Sequence, residues 1–207
     1  MNITEEHVIN LNALPIKVYD TDYILNDELV QRIKTLKYIK KNSGFKLSES
    51  TDVLNEIEDL KEVKDFMNLI AEKYAREVLE INNEIYMTQS WITINDKGAN
   101  HHMHHHPNAF FSLVYYVKSK NVDLNLWLNK SSLQKNFNFQ YDVRNYNMYN
   151  SSRWKIPTKT GRVVLFLGDL NHHTSVNELD EEKIILGANY FLKGALGTHK
   201  EVSFMEI

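Results

Sequence analysis

Two hydrophobic rhythms divide this chain, a helical one over residues 1–84 and a strand-like one over residues 85–193, with a short tail at 194–207. Val8 to Tyr19 reads as extended, and Pro15, which cannot donate to a ladder, sets part of it at a sheet edge. Asn26 is placed to cap a helix whose first turn carries Asp27 and Glu28, favourable beside the positive end of the helix dipole. Leu29, Ile33, Leu36 and Ile39 form its apolar stripe. Lys34, Lys37, Lys40 and Lys41 occupy the other face, as a solvated surface or a basic docking patch. Asn42 to Gly44 ends the element. From Val53 to Ile81, Leu60, Val63, Met67, Ile70, Tyr74, Val78 and Ile81 recur at steps of three and four, predicting one long supporting helix with a single buried face.

After Asn82 and Asn83 the period changes. Ile85 to Asn95 is β-like, and Phe110 to Val117 is a dense aromatic and β-branched run. Val122, Leu124, Leu126 and Leu128 alternate with polar residues, as do Phe137, Phe139 and Tyr141. Arg162 to Leu167 and Lys183 to Leu192 complete a set of about eight short strands, the pattern of a sandwich or barrel. Helices first and strands afterwards make the fold class α+β. The segment from Lys130 to Lys159, rich in asparagine, serine and aromatics, is either a substrate-recognition insertion or an ordinary meander.

Composition narrows the chemistry more than the fold. At 207 residues, 43% apolar, 25% charged and a net charge of −3, the chain suits one folded domain and argues against nucleic-acid binding by charge alone. It has no cysteine, which excludes disulfides, zinc–thiolate sites, iron–sulfur clusters and cysteine nucleophiles. A reducing cytoplasm is the expected setting, with no membrane span and no basic, apolar signal segment at the N-terminus. Phosphate loops, dinucleotide fingerprints, zincin helices and nucleophile elbows are all missing.

The remaining chemistry concentrates on histidine. Gly98 to Pro107 holds five of the nine histidines. If this stretch is extended, His102, His104 and His106 share one face, with His101 and His105 on the other. His172 and His173 follow on a distant segment, so a third ligand from another strand completes a facial metal site with open positions opposite. The plain alternative is a solvated histidine-rich loop that collects metal adventitiously.

The surrounding residues resemble a known family. Ser90 and Trp91, Gly98, His104 to Pro107, and Ser112 to Val117 look like the phage and bacterial 2-oxoglutarate/Fe(II) oxygenases, relatives of the prolyl hydroxylases. The likeness continues through Trp154 to Pro157, Gly161, Val163 to Phe166, Leu170 to His172, Asn177, Lys183 and Asn189. It spans Ile85 to Phe191 in the family's order and spacing. It implies a double-stranded β-helix (jelly-roll or cupin-like) with N-terminal supporting helices, forming a single domain. It implies Fe(II) held by His104, His106 and His172. By position, His173 is the distal ligand if the register differs by one, and Asp169 is a reserve carboxylate or a turn residue beside Gly168. The resemblance also implies 2-oxoglutarate and molecular oxygen as co-substrates. Lys183 falls where the family has an arginine that clamps the far carboxylate, though by position it also reads as a solvated residue after two glutamates. Tyr115 or Tyr116 would hydrogen-bond the co-substrate or simply pack in the core, and Asn189 joins the co-substrate site. Trp91 and Thr93 would line the pocket mouth, or Trp91 simply packs.

This chain departs from the family's pattern at three points. A third histidine stands in for the usual carboxylate ligand, Ile185 stands where the family has a serine, and Leu113 where it has a glycine. The implied activity is a 2-oxoglutarate-dependent dioxygenase, a hydroxylase in the sense of the prolyl hydroxylases, acting on a protein, small molecule or nucleic acid. The competing readings are a three-histidine cupin-type dioxygenase that needs no 2-oxoglutarate and a non-catalytic metal-binding or virion-associated protein. His7 and His199 have no partner motif and read as surface residues.

Overall fold

The computed structural model describes residues 13–120, 122–127, 131, 141–198 and 202–207. Strand β1 (Lys17–Asp20) leads to helix α1 (Asp27–Lys34), the hairpin β2 (Tyr38–Lys40) and β3 (Lys46–Ser48), and helices α2 (Val53–Glu56) and α3 (Lys61–Glu77). Strands β4 (Glu84–Asn95), β5 (Phe111–Lys118), β6 (Val122–Trp127), β7 (Arg153–Thr158), β8 (Arg162–Leu167), β9 (Asn171–Thr174) and β10 (Lys183–Lys193) follow, then a short pair at residues 195–196 and 205–206. The major sheet runs β1-β8-β5-β10-β4-β3-β2 and the facing sheet β7-β6-β9, with every ladder antiparallel. This is a double-stranded β-helix with helices on one side, the α+β architecture expected.

Each face of the major sheet has its own core. Ile92, Ile94, Leu113, Tyr115, Leu165, Ile184 and Leu186 face the helices and meet Val63, Met67 and Tyr74 of α3. Val114, Tyr116, Val164, Phe166 and Ile185 face the second sheet and meet its Leu124 and Leu126. Strands covered on both sides read as near-continuous apolar runs, which is why β5 and β10 lack alternation.

The helical half differs from its periodicity in two places. Asn26 does cap α1, accepting from the Leu29 amide at 2.8 Å, but the helix stops at Lys34. Ile39 belongs to β2 and is 46% exposed, because Asn42 to Gly44 is a hairpin turn with Gly44 at φ +85°. The run from Val53 to Ile81 is broken at Ile57, whose backbone is extended (φ −109°, ψ 104°). The Ser90 hydroxyl of β4 accepts the Leu54 amide and fixes α2 to the sheet before the chain restarts as α3. At the far end the Arg76 guanidinium donates to the carbonyls of Ile81 and Asn83, and the helix closes four residues short of Ile81. β1 is an edge strand, as Pro15 implied. The undecided segment contains β7, paired along its length with β6; Phe137 and Phe139 lie outside the described residues, as do His7 and His199.

Candidate active site

The histidine-rich stretch is not a strand, so simple alternation does not order its side chains. Pro107 and Asn108, the latter at φ 62°, turn the chain, and no ladder partner runs beside it. His104 instead forms an isolated bridge with His172: its amide donates to the His172 carbonyl at 3.0 Å, and its carbonyl accepts the His172 amide at 2.8 Å. That exchange sets the two imidazoles side by side, with ring centroids 4.2 Å apart. The His106 amide donates to the Gly168 carbonyl at 2.8 Å, and its ring lies 4.9 Å from His172. Gly168 has no room for a side chain, since a Cβ there would stand 2.1 Å from the Ala109 carbonyl oxygen. His101, expected on the opposite side, stacks on His104 at 4.1 Å, while His102 is exposed. His173 alternates away from His172 on β9, and Asp169 is exposed outside the cluster.

His104, His106 and His172 form a group able to hold a metal ion, with ligating nitrogens all within 4.8 Å of one another. Their hydrogen bonds say which nitrogen is free. The Nδ1 of His104 faces the His102 carbonyl at 2.8 Å, and that of His172 faces the Leu170 carbonyl at 2.8 Å. A carbonyl only accepts, so both Nδ1 atoms carry the proton. The Ser112 hydroxyl donates to Asn189 Oδ1 at 2.8 Å and therefore accepts from His106 Nδ1 at 2.6 Å. All three rings thus present a bare Nε2. Burial first, then the neighbouring His104 ring, pushes His172 down to about 2 and His106 down to about 4. Neutral imidazoles of this kind suit a first-row divalent ion. Ser112→Ala would leave His106 unoriented, and a fall in Fe(II) affinity of about 10- to 100-fold is expected by metal titration.

The opposite end of the same interior holds a lysine. Lys183 is 2% exposed, and its amine lies 5.2 Å from the Tyr116 ring centre without a hydrogen-bond partner. Burial pushes this amine down to about 7, partly offset by Asp123. The Tyr116 hydroxyl is also buried and unpartnered. Tyr115 points the other way: its hydroxyl donates to the Tyr23 carbonyl at 2.7 Å, and its ring packs against Phe66. Strand parity explains the correction, because Ser112, Val114 and Tyr116 face the interior and Leu113 and Tyr115 face the helices. Asn189 likewise stands behind His106, held by Ser112 and Gln89, rather than beside Lys183.

Trp91 meets His106 edge-on at 5.1 Å and lies across Gly187, where a Cβ would come within 2.5 Å of the indole. Gly187→Ala is expected to cost about 1–3 kcal/mol by overpacking, read as a lower melting temperature. In a Trp91→Ala background the same change should cost little; an equal loss there would mean the glycine serves the backbone instead. Thr93, next along this face, is buried.

Residues 89–189 match the family described as "Putative 2OG-Fe(II) oxygenase". No curated protein matches the chain. Among solved structures, the non-heme alpha ketoglutarate dependent epimerase SnoN from nogalamycin biosynthesis is similar over 91% of this chain and 83% of its own, with 10% identity and a TM-score of 0.62. HygX from Streptomyces hygroscopicus, solved with nickel and 2-oxoglutarate, matches 86% of this chain and 82% of its own at 10% identity, TM-score 0.60. A Pseudomonas putida prolyl-4-hydroxylase matches 87% of this chain and 94% of its own at 13% identity, TM-score 0.57. Over residues 89–189, just under half of the chain, the sequence matches the 2-oxoglutarate/Fe(II) oxygenase family, and the solved structures share the fold. The matched family and the similar structures are non-haem iron proteins dependent on 2-oxoglutarate.

Proposed function

We propose that the protein is a hydroxylase, working as one domain, in which His104, His106 and His172 hold Fe(II) while Lys183 and Tyr116 hold the far carboxylate of 2-oxoglutarate. The observation that carries this reading is the Lys183 amine without a hydrogen-bond partner, buried in the same interior as three neutral, oriented imidazoles. An unpaired buried ammonium is costly, and an anion that enters beside it recovers that cost. When bound, the iron and 2-oxoglutarate supply oxidation of a C–H bond by O2, with one oxygen atom going to the substrate and the other to succinate as CO2 leaves.

The chain's own residues do the rest. The backbone exchange between His104 and His172 fixes two ligands before metal arrives, and Ser112 fixes the third. Tyr116 donates its hydroxyl hydrogen to the carboxylate, and Lys183 supplies the countercharge. Phe166, which packs against both His106 and His172, keeps water from one side of the cluster. The same proposal sets the enzyme in a reducing cytoplasm, a host's where a phage encodes it; no helix among the described residues is long and apolar enough to cross a membrane.

The test is anaerobic addition of Fe(II) with and without 2-oxoglutarate, recording the weak visible charge-transfer band of the ternary complex. A band that needs both components and is lost in His104→Ala supports the reading. Metal binding without a band would favour a three-histidine dioxygenase that does not use 2-oxoglutarate.

A further inference from the structure

We propose that Asn95 is a third carboxylate-holding residue beside Lys183 and Tyr116, supplying the hydrogen bond that Ile185 cannot. This rests on the co-substrate site proposed above and adds a residue to it. Among the described residues, five buried side-chain polar atoms lack a partner, on Tyr19, Ser43, Asn95, Tyr116 and Lys183. Three of these five residues stand on one face of the adjacent strands β4, β10 and β5. Asn95 pairs directly with Lys183 across the β4/β10 ladder. Their Cβ atoms are therefore cross-strand neighbours, about 4.5–5.5 Å apart. Tyr116 pairs with Ile185, two residues further along β10. Ile185 itself is buried in the apolar core between the sheets and offers no polar atom.

The hydrogen-bond inventory around Asn95 shows what it offers. Asn95 is fully buried, yet its Oδ1 meets nothing, and its Nδ2 lies 3.5 Å from Thr174 Oγ1, the outer limit of a bond. Thr174 Oγ1 already accepts the His101 amide at 2.9 Å, so its hydroxyl hydrogen is what it has left to give. The two ends of an amide are nearly alike in shape, and the hydrogen-bond network decides between them. A half-turn of the Asn95 amide gives its oxygen to the Thr174 hydroxyl and turns its NH2 to the unpartnered position in the interior. An ammonium, a phenol and an amide NH2 then converge as donors, matched to a carboxylate that accepts at about four sites. The Asn95 backbone is fixed for the task, its carbonyl accepting from Asn177 Nδ2 at 3.0 Å. Burying three unpartnered polar groups side by side in a core is costly without a ligand to satisfy them.

The test compares binding, not turnover. Fe(II)-loaded wild type and Asn95→Asp are titrated calorimetrically without oxygen, with 2-oxoglutarate and with 2-oxopentanoate, the same 2-oxo acid lacking the far carboxylate. The aspartate is nearly isosteric and can still accept from Thr174, but it turns an acceptor on the ligand. The expected result is a loss of about tenfold or more in 2-oxoglutarate affinity, the scale of one hydrogen bond to a charged group, with 2-oxopentanoate affinity unchanged. Equal losses for both acids, or none for either, would overturn the proposal and leave Asn95 as a brace between the sheets. Asn95→Ser, read by the same contrast, decides the matter if the aspartate variant does not fold. If wild type binds the two acids equally, the far-carboxylate site itself fails, a result distinct from failure of Asn95 alone.

Discussion

Replacing His172 with alanine is expected to abolish turnover and to lower Fe(II) affinity by more than the roughly 10- to 100-fold that loss of a residue merely orienting a ligand costs. His172 is both a ligand candidate and half of the backbone exchange that holds His104. The substitution removes an imidazole while leaving that exchange in place, so the fold should survive. Circular dichroism unchanged from wild type, with no metal retained after dialysis, is the expected pair of results. His173→Ala and Asp169→Asn are the controls: one side chain leaves the strand on the other face and the other is exposed, so both variants should keep iron and activity. Activity that survives in His172→Ala and disappears in His173→Ala would reverse the assignment.

The second large effect is at Lys183. Lys183→Ala is expected to raise the KM for 2-oxoglutarate by about 10- to 150-fold, since a charge-assisted hydrogen bond is worth roughly 1.5–3 kcal/mol. Metal affinity should stay unchanged, which separates this variant from the histidine ones. The same lysine ties stability to pH. Its amine titrates at about 7 in the folded protein, against 10.5 as the ordinary value that the unfolded chain retains. Between those limits the unfolded state carries a proton that the folded state lacks, so the ligand-free protein gains stability as pH rises from about 7 toward 10.5. Below about 7 both states are protonated and the dependence flattens. Lys183→Met should erase that slope and stabilise the ligand-free fold at neutral pH. In the wild type, 2-oxoglutarate should bind with proton uptake above pH 7, measurable by calorimetry in buffers of different ionisation enthalpy. Proton-neutral binding at pH 8 would show that the amine is charged without the ligand.

Much of this site was legible because its chemistry is written in residue types that rarely cluster by chance. The spacing of His104 and His106, the distant His172 and the lone basic residue opening the last long strand stood out without coordinates. Tyr116 was within reach too: once Ser112 faces His106, strand parity puts Tyr116 rather than Tyr115 in the interior. What lay beyond reach depended on which elements meet. The hairpin of β2 and β3 looked like a continued helix because Ile39 happens to fall at helical spacing from Leu36. The break at Ile57 reflects a hydrogen bond from a strand more than thirty residues away. His101 beside His104 and Asn95 beside Lys183 follow from pairings between segments, which no local period encodes.

The reciprocal bridge between His104 and His172 has a meaning for a chain that contains no cysteine. It fastens the segment after β4 to the second sheet with two backbone hydrogen bonds, and an ion shared by the two imidazoles turns that fastening into a clasp. A disulfide's strength follows the redox poise of its compartment; this clasp follows the supply of free iron. At a free-ion concentration one hundred times the dissociation constant, occupancy adds about 2.7 kcal/mol to the folded state. The population of intact enzyme would then track iron availability directly, with starvation for the metal loosening the protein as well as idling it.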